Sequence, residues 1–127
     1  MRNSEVLISL NVSVPISIER VKDLLCGAIE GGSNYWCKYI DRMGGITREQ
    51  AEFRQDVPFV EGGWLEVTED CEEGKVIRLD VDAIKNGLQT LSEKYPHHFS
   101  DFINDRDDAT TSDVFLQCCC FGEVIYG

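Results

Sequence analysis

A chain of 127 residues with 43% hydrophobic residues is long enough to bury one core and too short for two, which excludes a disordered chain and sets the expectation of a single domain over residues 1–127. Its net charge of −11, from 23 acids against 12 bases, repels phosphate backbones and sets direct DNA or RNA binding aside. No apolar run reaches the roughly 18 residues of a membrane span, and the N-terminus lacks the basic-then-apolar order of a signal peptide, so no membrane association and a cytosolic setting are expected.

Residues 5 to 16 alternate, with Val6, Ile8, Leu10, Val12 and Val14 on one face and Leu7, Ser9, Asn11 and Ser13 on the other, a pattern that predicts a long half-buried strand. Ser17 stands at an N-cap position, and Ile18, Val21, Leu24, Leu25, Ala28 and Ile29 recur at helical spacing up to Glu30. Gly31 follows the last apolar position, where a left-handed C-cap is wanted, and Gly32 to Asn34 make the turn. Residues 35 to 42 read as a short strand or an irregular segment, and residues 43 to 60 as loop. Trp64 to Thr68 and Lys75 to Asp80 alternate around a polar stretch and predict a hairpin. Asp80 is placed to cap a second helix with Ile84, Leu88, Leu91 and Tyr95 on its stripe, ended by Pro96. Residues 97 to 109 read as a polar connector pinned by Phe99, Phe102 and Ile103, with His97 and His98 covering the end of the second helix. Thr110 with Asp113 resembles a capping box that opens a third helix, apolar nearly all round from Val114 to Phe121 and stopped by Gly122. The order of elements gives an α+β fold, a small antiparallel sheet covered on one face by about three helices.

The chemistry-bearing residues point away from catalysis. Six cysteines, three of them adjacent at Cys118 to Cys120, read as buried thiols because nothing indicates secretion. Successive helical positions point about 100° apart, so the triplet does not converge on one metal ion. No paired Cys-x-x-Cys ligands, phosphate loop, nucleophile elbow or zinc-protease motif occurs. The expectation is a protein with no catalytic residue, no metal and no cofactor. Eleven acids lie between Glu49 and Asp82, suiting either solubility or imitation of nucleic acid toward a basic partner.

What remains is glycine and aromatic chemistry. EGG followed by an aromatic occurs at residues 30 to 36 and again at 61 to 64. Gly31, Gly32, Gly62 and Gly63 admit close backbone approach, and Tyr35, Trp36 and Trp64 offer flat faces with a polar handle. Such groups suit a nucleobase, with Arg42, Arg48, Arg54, Lys75 or Arg78 available for phosphates. Two fates stay open for Tyr35 and Trp36, core anchors or walls of a site, and the segment from Gly62 to Trp64 is the expected opposite wall.

The segments LLCGAIEGGSNYW near the start and SDVFLQCCCFGEVIYG at the end resemble a group of small bacteriophage and prophage proteins to which no activity is assigned. The likeness covers both ends of the chain and only loosely its middle. It implies a phage setting in a host cytoplasm, where small acidic proteins without catalytic motifs act as counter-defence factors. On this reading the chain sequesters a nucleotide-derived signal, as a homo-oligomer whose subunit boundary closes the site. Gly31, Gly32, Asn34, Tyr35, Trp36, Gly62, Gly63, Trp64, Arg78 and Gln117 are its candidate ligand-binding residues, with Glu123 a secondary candidate. The alternatives are an acidic mimic that occupies a basic channel of a host defence protein, through Glu69, Asp70, Glu72 and Glu73, and a structural or virion-associated protein.

Overall fold

In the computed structural model of the chain, residues 6–127 are described. Among the described residues the first regular element is α1 (Ile18–Gly27), whose Ser17 cap accepts from the Arg20 amide at 3.2 Å. Its apolar positions Val21, Leu24 and Leu25 are buried, as the 3.6-residue spacing requires. The strand expected before it does not form: Val6 to Ile16 carry no strand pairing, and Glu5 lies outside the described residues. Alternation supplies a sheet-like face, but no neighbouring strand among the described residues receives it.

Beyond Gly27 the helix widens into a π-turn, Ala28–Gly32. The left-handed cap expected at Gly31 is absent; Gly31 has φ 166° and the chain turns out at Ser33. A Cβ on Gly32 would lie 2.6 Å from the Ala109 carbonyl oxygen, so this glycine is needed for backbone approach to a later helix.

The sheet is antiparallel in the order β1-β2-β3, with β1 at Cys37–Met43, β2 at Trp64–Glu69 and β3 at Val76–Leu79. The ambiguous segment 35 to 42 thus supplies an edge strand, and the expected hairpin is β2–β3. Ile40, Leu65, Val67 and Leu79 are buried on the inner face, while Tyr39, Asp41 and Arg78 face outward and are exposed. The stretch read as loop holds a 3-10 turn, Arg54–Phe59, which buries Val57 and Pro58.

Asp80 caps α2 (Val81–Lys94) by accepting from the Ala83 amide at 2.9 Å. Pro96 stops α2 and also begins α3 (Pro96–Ile103), where the sequence suggests a connector. A proline is tolerated at the first position of a helix because its missing N–H has no partner there anyway, and Phe102 then anchors the new helix in the core. The cap of α4 (Ala109–Phe121) lies two residues before the expected one: Asp108 accepts from the Thr111 amide at 3.0 Å, and Thr111 Oγ1 accepts from the Asp108 amide at 3.3 Å. Every residue from Thr111 to Cys118 is buried. This is the central helix, packed against α1, α2 and α3, and it ends at Gly122 with φ 75°, a left-handed cap. The whole is an α+β fold with one contiguous core that includes Trp36, Phe102, Phe115 and Leu116.

Candidate functional site

Three places gather the residues singled out in the sequence. The first is a buried knot under the C-terminal tail. Asp113 is 7% exposed, on the inward side of α4, and its carboxylate accepts from Ser33 Oγ at 2.8 Å, Trp36 Nε1 at 2.7 Å, Tyr35 Oη at 2.5 Å and Gln117 Nε2 at 3.1 Å. Gln117 Oε1 accepts from the amides of Ile125 and Tyr126, both at 2.9 Å. The Tyr126 ring stacks on Trp36, with centroids 5.6 Å apart, and its hydroxyl donates to Glu69.

The fate of Trp36 is thereby settled. It is 1% exposed, its N–H is satisfied within the chain, and a ring of this chain already occupies its face. Tyr35 is 56% exposed but turns its hydroxyl inward, and burial together with Asp113 pushes its phenol up to about 12. Gln117 is fully buried and ties down the tail. Asp113 and Tyr126 complete the knot and were not among the expected site residues. The signal for Asp113 was one acid, four residues before Gln117, at the head of the apolar run Val114 to Phe121, since a polar group is buried there only when it is hydrogen-bonded.

The second place is a groove of about 310 Å³ lined by Gly62, Gly63, Arg78, Glu61, Asp80 and Asp82. Trp64 lies beside it, with the Arg78 guanidinium 4.5 Å from its ring centroid, and Arg78 pairs with Asp80 at 3.2 Å. One base against three acids gives this groove a formal charge of −2, a poor environment for a phosphate. It is also remote from the first place: Trp36 accepts from the Asp70 amide at 2.7 Å beyond one end of β2, whereas Trp64 begins the other end, roughly 17 Å away along the strand. The two Gly-aromatic segments are therefore not opposite walls of one site. Gly31 and Asn34 are exposed and line neither groove.

The third place is a groove of about 490 Å³ lined by Ile29, Glu30, Ile40, Asp41, Arg42, Arg48, Glu52, Phe53, Arg54 and Gln55. The strand β1 brings Arg42, the loop brings Arg48, and the 3-10 turn brings Arg54. Arg42 donates to the carbonyls of Ala51 at 2.8 Å and Glu52 at 3.1 Å, and Arg54 to that of Ile40 at 3.0 Å. Among the described residues none of the three arginines is within ion-pair distance of an acid. Phe53 stands at the rim, 54% exposed. Three arginines against Glu30, Asp41 and Glu52 leave the groove formally neutral on a chain of charge −11. It is the better of the two grooves for an anion, with the Arg42 and Arg54 guanidinium groups already oriented by backbone carbonyls. The arginines were named in the sequence as phosphate partners; Phe53, inside a stretch read as loop, was not.

The cysteines are free thiols. Burial pushes Cys37 and Cys118 up to about 11 and raises Cys119 and Cys120 further, so the nucleophilic thiolate is suppressed at neutral pH. Among the described residues no three His, Cys, Asp or Glu side chains are grouped to hold a metal ion, and no helix is long and apolar enough to cross a membrane. Compared with known protein families, curated proteins and solved structures, the chain matches none.

Proposed function

We propose that the chain is a non-enzymatic binding protein for a nucleotide-derived small molecule, held in the groove between β1 and the 3-10 turn. The observation that carries this reading is the convergence of Arg42, Arg48 and Arg54, without a carboxylate partner among the described residues, beside the exposed ring of Phe53. Guanidinium groups meet phosphate oxygens in a bidentate fork, and an aromatic face stacks on a base. In the phage setting implied by the two end motifs, tight binding removes a signalling nucleotide from a host defence pathway, and sequestration needs no catalytic group.

Titration calorimetry against cyclic nucleotides and ADP-ribose derivatives tests the reading. Saturable heat with at least one compound, weakened roughly tenfold or more in Arg48→Glu, is the expected result. No heat with any of them overturns it.

A second reading, an acidic inhibitor of a host defence protein, is favoured by one observation. Asp70, Glu72 and Glu73 stand exposed together on the β2–β3 turn, although Glu69 beside them is buried and bound to Tyr126. If Asp70→Asn, Glu72→Gln and Glu73→Gln together left host-protein binding intact, this alternative would fall.

A further inference from the structure

Residues 6–14 raise a separate question, independent of any ligand. Val6, Leu7, Ile8, Leu10 and Val12 are 76 to 91% exposed and Val14 is 46% exposed, six large apolar side chains in nine residues. None of these residues makes a hydrogen bond to another described residue. The alternation along the stretch is that of a strand with one buried face, and an unpaired strand of this kind is a template for another chain.

The same chain supplies an acceptor. β3 is an edge strand: Val76–Leu79 pair with β2 on one side, and no described hydrogen bond reaches their other side. Val76 and Val81 flank that edge, 59% and 45% exposed. The opposite edge is obstructed, because Arg54 donates to the Ile40 carbonyl of β1 and Arg42 braces the segment that runs alongside. Charge points to the occupant. Two copies of a −11 chain repel, yet Val6 to Ile18 contain no charged residue, so this is the stretch with which two such chains meet at least electrostatic cost. Each copy offers one arm and one edge, and reciprocal exchange closes as a two-fold dimer.

We propose that residues 6–14 form an arm that adds to the free edge of β3 in a second copy of the chain, making a strand-exchanged dimer. Sedimentation at micromolar concentration and a photo-cross-linking residue at position 10 test this together. The expected wild-type species is a dimer; the pair Leu10→Lys and Val12→Lys yields monomer with an unchanged far-ultraviolet circular dichroism spectrum. In a mixture of isotopically light and heavy chains, the cross-link joins the arm of one to residues 76–79 of the other. A monomeric wild type, a dimer that survives the double substitution, a cross-link within one copy, or one to a different element overturns the proposal.

Discussion

The Trp36 indole N–H, at the end of the first Gly-aromatic segment, donates at 2.7 Å to Asp113, which lies on α4 77 residues later in the chain. Four donors converge on that one carboxylate, and removing it strands the buried Ser33 hydroxyl and Trp36 N–H, while Tyr35 and Gln117 keep the Tyr126 carbonyl as acceptor. Asp113→Ala is therefore expected to lower the unfolding free energy by about 3 kcal/mol, the cost of losing hydrogen bonds to a charged acceptor and stranding buried donors. Trp36→Phe keeps the ring and loses one donor, so its cost should be about 1 kcal/mol. Urea unfolding followed by circular dichroism measures both, and equal effects would show that Asp113 is not the centre of the knot.

The same knot predicts an alkaline limb. The phenols of Tyr35 and Tyr126 are each raised to about 12, Tyr35 by burial and then Asp113, Tyr126 by its hydrogen bond to Glu69. A folded-state value above the unfolded value near 10 means that the neutral phenol is favoured in the native state. Its contribution is fully present below pH 10 and is lost as pH rises through about 12. Stability should fall across that window, and less so in Tyr35→Phe or Tyr126→Phe; tyrosinate absorbance titrated alongside unfolding would reveal it.

At the acid end the helix caps take over. Asp80 and Asp108 are held below the usual carboxylate range, chiefly by the amides of Ala83 and Thr111 that they accept from. A depressed value gives stability that is present above the unfolded value near 4 and is lost as pH falls through the folded one. Asp108→Ala should cost about 1 kcal/mol at neutral pH, while Asp108→Asn keeps a cap and loses only the pH dependence. Thermal unfolding from neutral pH downward separates the two substitutions.

These elements also show what the sequence could and could not convey. Ser17 and Asp80 announce helix starts through local hydrogen bonds, and the β2–β3 hairpin follows from alternation around a polar turn, so short-range chemistry was enough. The arm at residues 6–14 has the same alternation without a strand beside it, because periodicity defines a face and not its neighbour. Pro96 was legible as a stop but not as the first residue of α3, since proline suits both places. At the candidate site the arginines were visible one by one. Their convergence depends on β1 and the 3-10 turn lying side by side, a long-range fact absent from any local window. Trp36 and Trp64 look alike in sequence, yet the antiparallel register puts them at opposite ends of β2.

Arg42, Arg48 and Arg54 share a groove but differ in what else they hold, and that difference makes the binding reading separable from stability. Arg42 and Arg54 donate to the backbone carbonyls of Ala51, Glu52 and Ile40, so replacing either by alanine removes structural hydrogen bonds and should cost about 1 kcal/mol of stability. Arg48 is exposed and has no hydrogen bond within the described chain. Arg48→Ala should leave the unfolding midpoint unchanged, because surface changes away from such contacts fall within about 0.5 kcal/mol, while weakening any anionic ligand. Phe53→Ala should likewise spare the fold, its ring being half exposed, and remove a stacking contact worth about 1–3 kcal/mol. Binding through guanidinium and phosphate must also weaken as salt rises, more steeply in the wild type than in Arg48→Ala. If affinity is instead insensitive to salt and to Arg48 while responding to Arg78, the ligand sits in the acidic groove by Trp64 and is not a phosphate.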